Sequence, residues 1–90
     1  MTEKTYSYRL SYTGLEGDMT PKQYHSDNKA QAGDVIQLED GNWHYVIEVK
    51  QIKAPPYEQL RLAKSGQDHE DALYEALDQG YLSESDMPHI

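Results

Sequence analysis

The sequence predicts an α+β domain: a small, mainly antiparallel sheet of about five strands, able to curl towards a small barrel, followed by one C-terminal α-helix. Three observations carry this expectation. Residues 4–13, KTYSYRLSYT, alternate with period two, the mark of a half-buried strand. Residues 35–49, VIQLEDGNWHYVIEV, form two alternating runs around Asp40-Gly41, and Asp-Gly between such runs is the strongest short-range hairpin signal. Residues 65–79 carry the single helical apolar stripe and stop at Gly80. Residues 1–80 are expected as one domain and 81–90 as a loosely ordered acidic tail.

In chain order, Tyr6, Tyr8, Leu10 and Tyr12 share one face of the first strand, and Gly14 and Gly17-Asp18 mark a turn. A short strand over 22–26 pairs back on the first, with Pro21 at its start. Residues 27–34 are polar, end in Gly33-Asp34 and read as a loop. The central hairpin then turns at Asp40-Gly41 as a two-residue loop, with both residues at φ > 0. That register sets Leu38 opposite Trp43 and Ile36 opposite Tyr45. It collects Ile36, Leu38, Trp43, Tyr45, Ile47 and Val49 on one apolar face. After Val49 the alternation breaks, so a bulge or a strand end is expected near Gln51. Pro55-Pro56 ends the ladder. Residues 57–64 fit either a helix opened by Pro56 or a strand with Leu60 and Leu62 inward; the strand is preferred because it helps close the sheet. The helix takes Ser65 or Asp68 as its cap, with Asp71 three positions beyond Asp68. Ala72, Leu73, Ala76 and Leu77 form its buried stripe.

Composition narrows the function. Net charge is −8, and residues 54–90 carry −6 of it. Direct nucleic-acid binding is not expected, because neutralising phosphates takes a basic patch; anionic membranes are disfavoured on the same ground. There is no cysteine, hence no disulfide or thiolate chemistry. The first ten residues hold no apolar run of signal-peptide length, and no stretch reaches the ~20 apolar residues of a membrane span, so a cytoplasmic location is expected. Eight Tyr and one Trp stand against no Phe, and most of these tyrosines are expected on a half-wet sheet face.

No catalytic or metal-binding constellation is written in the chain. His25, His44, His69 and His89 have no clamp spacing, and His69-Glu70 is followed by Leu73 where a zinc-protease motif needs a second histidine. His44, adjacent to Trp43 on a strand, is expected on the opposite, wetter face. Glu39 and Asp40 are turn residues, and the helix carboxylates read as a solvated face. No cofactor is expected, and the chain is read as non-enzymatic.

AGDVI followed by GNWHYVIEV resembles the Gly-Asp-strand opening of Src-homology-3-like small barrels, over about eighteen residues, and implies a small-barrel fold with no particular activity. In size and charge the chain is similar to the small acidic inhibitors of nucleases and defence complexes, anti-CRISPR proteins among them. The leading expectation is therefore a protein-binding module. In its sharpest form it is a nucleic-acid mimic that occupies a basic surface of a nucleic-acid-binding partner. Asp68, Asp71, Tyr74, Glu75, Asp78 and Tyr81 are the candidate partner-binding residues. Two alternatives stand beside it. One is an accessory subunit that dimerises through a sheet edge, with the strand at 4–13 as the candidate edge. The other is a small-ligand barrel that uses Trp43 and the tyrosines as stacking platforms.

Overall fold

The computed structural model describes residues 5–13 and 20–86. Its elements are β1 (Tyr6–Tyr12), β2 (Gln23–Ser26), β3 (Val35–Gln37), β4 (Trp43–Gln51), β5 (Glu58–Leu62), helix α1 (His69–Gln79) and a 3₁₀ turn at Glu84–Asp86. The expected turn at Gly14 and Gly17-Asp18, and His89, lie outside the described residues.

The five strands form one curled sheet in the order β2-β1-β5-β4-β3. All pairings are antiparallel except β1 with β5, which is parallel, so the sheet is mixed. The strand reading of residues 57–64 holds: β5 lies at the centre of the sheet and sets Leu60 and Leu62 inward, both fully buried. β1 is not an edge, because β2 and β5 flank it; among the described residues the edges are β2 and β3.

The interior face is lined by Tyr8, Leu10, Ile36, Leu38, Val46, Leu60 and Leu62, with Tyr6, Tyr12, Tyr24 and Val49 packed around them. The tyrosines of β1 and β2 thus serve the core more than a wet face. Tyr8 is wholly buried, and its hydroxyl accepts a hydrogen bond from the Ala30 amide at 3.0 Å. Tyr12 donates its hydroxyl proton to the Pro21 carbonyl.

The central hairpin departs from the expected register by one residue. Leu38 N–H donates to the Asn42 carbonyl and Gly41 N–H to the Leu38 carbonyl, each at 2.9 Å, so the loop is Glu39-Asp40-Gly41. Only Gly41, at φ 89°, is left-handed; Asp40 is not. This is a three-residue turn with a glycine bulge, to which Asp-Gly is also suited. The Asp40 carboxylate fixes it by accepting from the Asn42 amide at 3.0 Å. Ile36 consequently pairs with His44 and Gln37 with Trp43. The slip moves Trp43, Tyr45 and Ile47 off the interior face and turns His44 and Val46 into it. His44, expected on the wetter face, is 1 % exposed. Its Nδ1 lies 2.8 Å from the Ala63 carbonyl, and a carbonyl only accepts, so Nδ1 carries the proton. Its ring meets Tyr12 edge-on at 5.3 Å.

A bulge between Val46 and Glu48 restores the parity, so that Val49 again faces Leu60 across the ladder. It falls at Ile47, earlier than expected, and the strand ends at Gln51.

The helix packs on the outer side of β3 and β4. Asp68 is its N-cap and accepts from the Asp71 amide at 2.8 Å; Asp71 in turn accepts from the Gln67 amide at 2.9 Å, a capping box displaced by one residue. Gly80, at φ 87°, closes the helix, with the Gly80 and Tyr81 amides donating to the Leu77 and Ala76 carbonyls. Ala72, Leu73 and Ala76 are buried and Leu77 half-buried. Gly66 joins helix to sheet: it exchanges two backbone hydrogen bonds with Trp43, at 2.8 and 2.9 Å.

Candidate functional site

Two surfaces are built by this fold. The first is the outward face of α1. Because Leu77 is only half-buried, the centre of the outward face turns from Asp71 and Glu75 towards Tyr74. The exposed row is Glu70, Tyr74 and Asp78, spaced four residues apart. Tyr74 is 52 % exposed.

The six candidate residues divide accordingly. Asp68 and Asp71 are committed to the cap. Glu75 is half-buried and lies 3.6 Å from the Lys64 ammonium. That pair is wet, and such pairs contribute at most about 1 kcal/mol. Tyr81 lies beneath the Arg61 guanidinium, 5.7 Å from the ring centre, and Arg61 also reaches Glu48 at 3.9 Å. Tyr74 and Asp78 remain, projecting from the helix with no hydrogen bond or ion pair among the described residues. Glu70 belongs with them and was missed. The signal for it was present in the stripe, once Leu77 is given less weight than Ala72 and Leu73.

Asp78 stands in the last helical turn, which carries no basic residue. A carboxylate there opposes the negative end of the helix dipole, so its position costs a few tenths of a kcal/mol to about 1 kcal/mol. The helix is therefore not optimised for its own stability at this end.

The second surface is the gap between the two edge strands. β2 and β3 curl towards each other without pairing, and two cavities open between them. One, of about 390 Å³, is walled by Gln23, Tyr24 and His25 on one side and Gln37, Leu38 and Glu39 on the other. The other, of about 380 Å³, lies between Tyr24, Ser26 and Ala30 and the start of β3 at Val35 and Ile36, with His69 at its rim. On the outer side, a cleft of about 300 Å³ runs between β3 and the helix, lined by Val35, Tyr45, His69 and Leu73.

Trp43 faces the helix side, half-buried, with its ring 6.1 Å from that of His69. It is neither the core residue expected nor a fully exposed stacking platform. Among the described residues no group of three or more His, Asp or Glu side chains is placed to hold a metal ion. No helix among them is long and apolar enough to cross a membrane.

No protein-family model, no curated protein and no solved structure shows a significant match to the chain.

Proposed function

We propose that the chain is a non-enzymatic protein-binding module that meets a basic protein surface with the outward face of α1. The observation that carries this reading is the row Glu70, Tyr74 and Asp78. Two carboxylates flank an exposed tyrosine, and none of the three side chains makes a hydrogen bond or ion pair among the described residues. Tyrosine supplies a large, stiff contact area, and the flanking charges steer a cationic partner and fix its orientation. Asp78 is retained against the helix dipole, as expected of a residue kept for a partner rather than for the helix. The net charge of −8 gives the whole molecule a field that attracts cations and repels nucleic acid. A nucleic-acid-binding protein, whose groove is already shaped for a row of anions, is the partner class that fits, and inhibition by occupancy would be the outcome. A cytoplasmic setting belongs to the same proposal and is consistent with a chain free of cysteine.

The test is affinity capture from native host extract with the full chain as bait. Basic proteins should be retained at low salt and released as salt rises. The pair Glu70→Lys and Asp78→Lys should abolish their capture while leaving the circular dichroism spectrum unchanged. Retention of the same proteins by the doubly substituted chain would remove α1 from the interface.

A further inference from the structure

Among the described residues no strand pairs with the outer edge of β3, and the residues around it are arranged to receive one. In the antiparallel ladder with β4, the hydrogen-bonded pairs are set by Val46 N–H to the Asp34 carbonyl and Leu38 N–H to the Asn42 carbonyl. Pairs alternate, so Ile36 bonds to His44 while Val35 and Gln37 direct their N–H and C=O groups to the free edge. The same alternation holds on β2. There Leu10 N–H bonds to the Lys22 carbonyl, so Gln23 and His25 turn their backbone groups towards the gap. The gap between the two edges is a slot rather than a seam, with Tyr24, Ile36 and Leu38 at its floor and cavities of about 390 and 380 Å³ along it. On the outer side, the cleft beside α1 places Leu73 and Tyr45 next to the same edge.

We propose that β3 takes up an extended segment of a partner protein as an added strand, lying in the slot between β2 and β3 and flanked by α1. This rests on the protein-binding reading and names the way in which the partner is held. Backbone groups of Val35 and Gln37 supply the affinity, and alternate side chains of the segment supply the specificity. Residues pointing inward meet Tyr24, Ile36 and Leu38 and are apolar. Residues at the two ends of the segment meet Asp34, just before β3, and Glu39, just after it, and are Lys or Arg. Lys29 is the only Lys or Arg lining the slot among the described residues, so the local balance is acidic and matches the field of the whole molecule. The incoming segment is therefore cationic at its ends and apolar between.

The test uses the full isotope-labelled chain titrated with an end-capped peptide of seven residues, Lys at each end and Val between. The amide signals of Val35 and Gln37 should shift, and their exchange with solvent should slow. Gln37→Pro removes one outward N–H and none of the bonds to β4, and proline is tolerated at such edge positions. It should weaken the peptide about tenfold and leave the melting temperature near the parental value. A peptide N-methylated at alternate residues should lose binding likewise, which keeps the test intact if Gln37→Pro does not fold. Shifts confined to Glu70, Tyr74 and Asp78, with Val35 and Gln37 silent, would overturn strand addition and leave the α1 reading standing. No shift at either surface would count against both. Protection of Val35 and Gln37 that grows with protein concentration in the absence of peptide would assign the edge to a second copy of the chain and overturn the choice of a foreign partner.

Discussion

At Gly66 the backbones of sheet and helix come together. A Cβ built there would overlap the backbone nitrogen of Ala72 and lie 2.7 Å from its Cα. No rotamer relieves an overlap with main chain, so Gly66→Ala must push the helix off β4 and strain the paired bonds to Trp43. A loss of about 3 kcal/mol is expected, at the upper end for overpacking. Gly33→Ala, at φ 96° with open space around the Cβ, should cost only about 1–2 kcal/mol, for the backbone conformation alone. Urea denaturation of both variants checks the order; equal losses would refute the close approach. Tyr8 is the second decisive residue. Tyr8→Phe leaves the Ala30 amide without its acceptor and should cost about 1–3 kcal/mol. Burial also pushes the Tyr8 hydroxyl above its ordinary pKa, against a smaller opposing effect of the Ala30 hydrogen bond. The folded state then holds this proton more tightly than the unfolded chain. The stabilisation is complete below the ordinary tyrosine value of about 10 and is lost as pH rises through the folded value. The stability gap between parent and Tyr8→Phe should therefore narrow between pH 8 and pH 11, and a gap that widens would contradict this assignment.

At the scale of elements, the hairpin decides which side of β4 enters the core. Asp40-Gly41 serves a two-residue turn with both residues left-handed or a three-residue turn with glycine alone left-handed, and the dipeptide does not distinguish them. The alternation of β4 does not either, because Trp43, Tyr45 and Ile47 form one apolar set and His44, Val46 and Val49 nearly another. What breaks the tie is tertiary: a helix on the outer face gives Trp43 and Tyr45 a partner, and the bulge at Ile47 lets the strand change parity. Neither is visible in a window of fifteen residues. By contrast, the first four strands, the Gly80 stop and a cap at one of Ser65 and Asp68 were legible from local chemistry, whereas β5 was distinguished from a helix only by its use in closing the sheet. The acidic face of α1 was legible as a face but not in its centre, which the partial burial of Leu77 shifted. Deleting Asp40 tests the reading of the turn. It leaves Glu39-Gly41 as a two-residue loop between the same pair, Leu38 and Asn42, so the register is kept and His44 and Val46 stay inward. Had Asp40-Gly41 been the whole loop, one residue could not close it and the strands would slip. Cooperative unfolding should persist, with a loss of about 1–2 kcal/mol because Glu39 must then take a left-handed conformation, whereas Asp40→Asn should stay within about 0.5 kcal/mol of the parent, since an amide oxygen can accept from Asn42. A deletion variant that loses cooperative unfolding would refute the three-residue turn.

For the molecule as a whole, charge and stability pull apart. Asp78→Lys replaces a carboxylate that opposes the helix dipole by a cation that suits it, and should raise stability by about 0.5–1 kcal/mol. Thermal melting at low salt reads this directly, and a lower melting temperature would show that Asp78 has a structural role. The centre of the sheet carries a further consequence. Leu10 pairs with Leu60 and Tyr12 with Leu62, in parallel, across fifty positions of chain, whereas β1 with β2, β3 with β4 and β4 with β5 are local antiparallel pairs. Closing a loop of that length must precede any reward from the central pairing, so the barrier to folding lies in docking the β1-β2 hairpin on the β5 edge of the β3-β4-β5 meander. Leu60→Ala should then slow refolding by most of its effect on stability, while Val35→Ala should mainly hasten unfolding. The reverse partition would place the nucleus at the edge. On a ribosome this topology means that neither the slot nor the acidic helix face has its supporting core until β5 has emerged, so a chain truncated before β5 has hairpins to offer but neither surface.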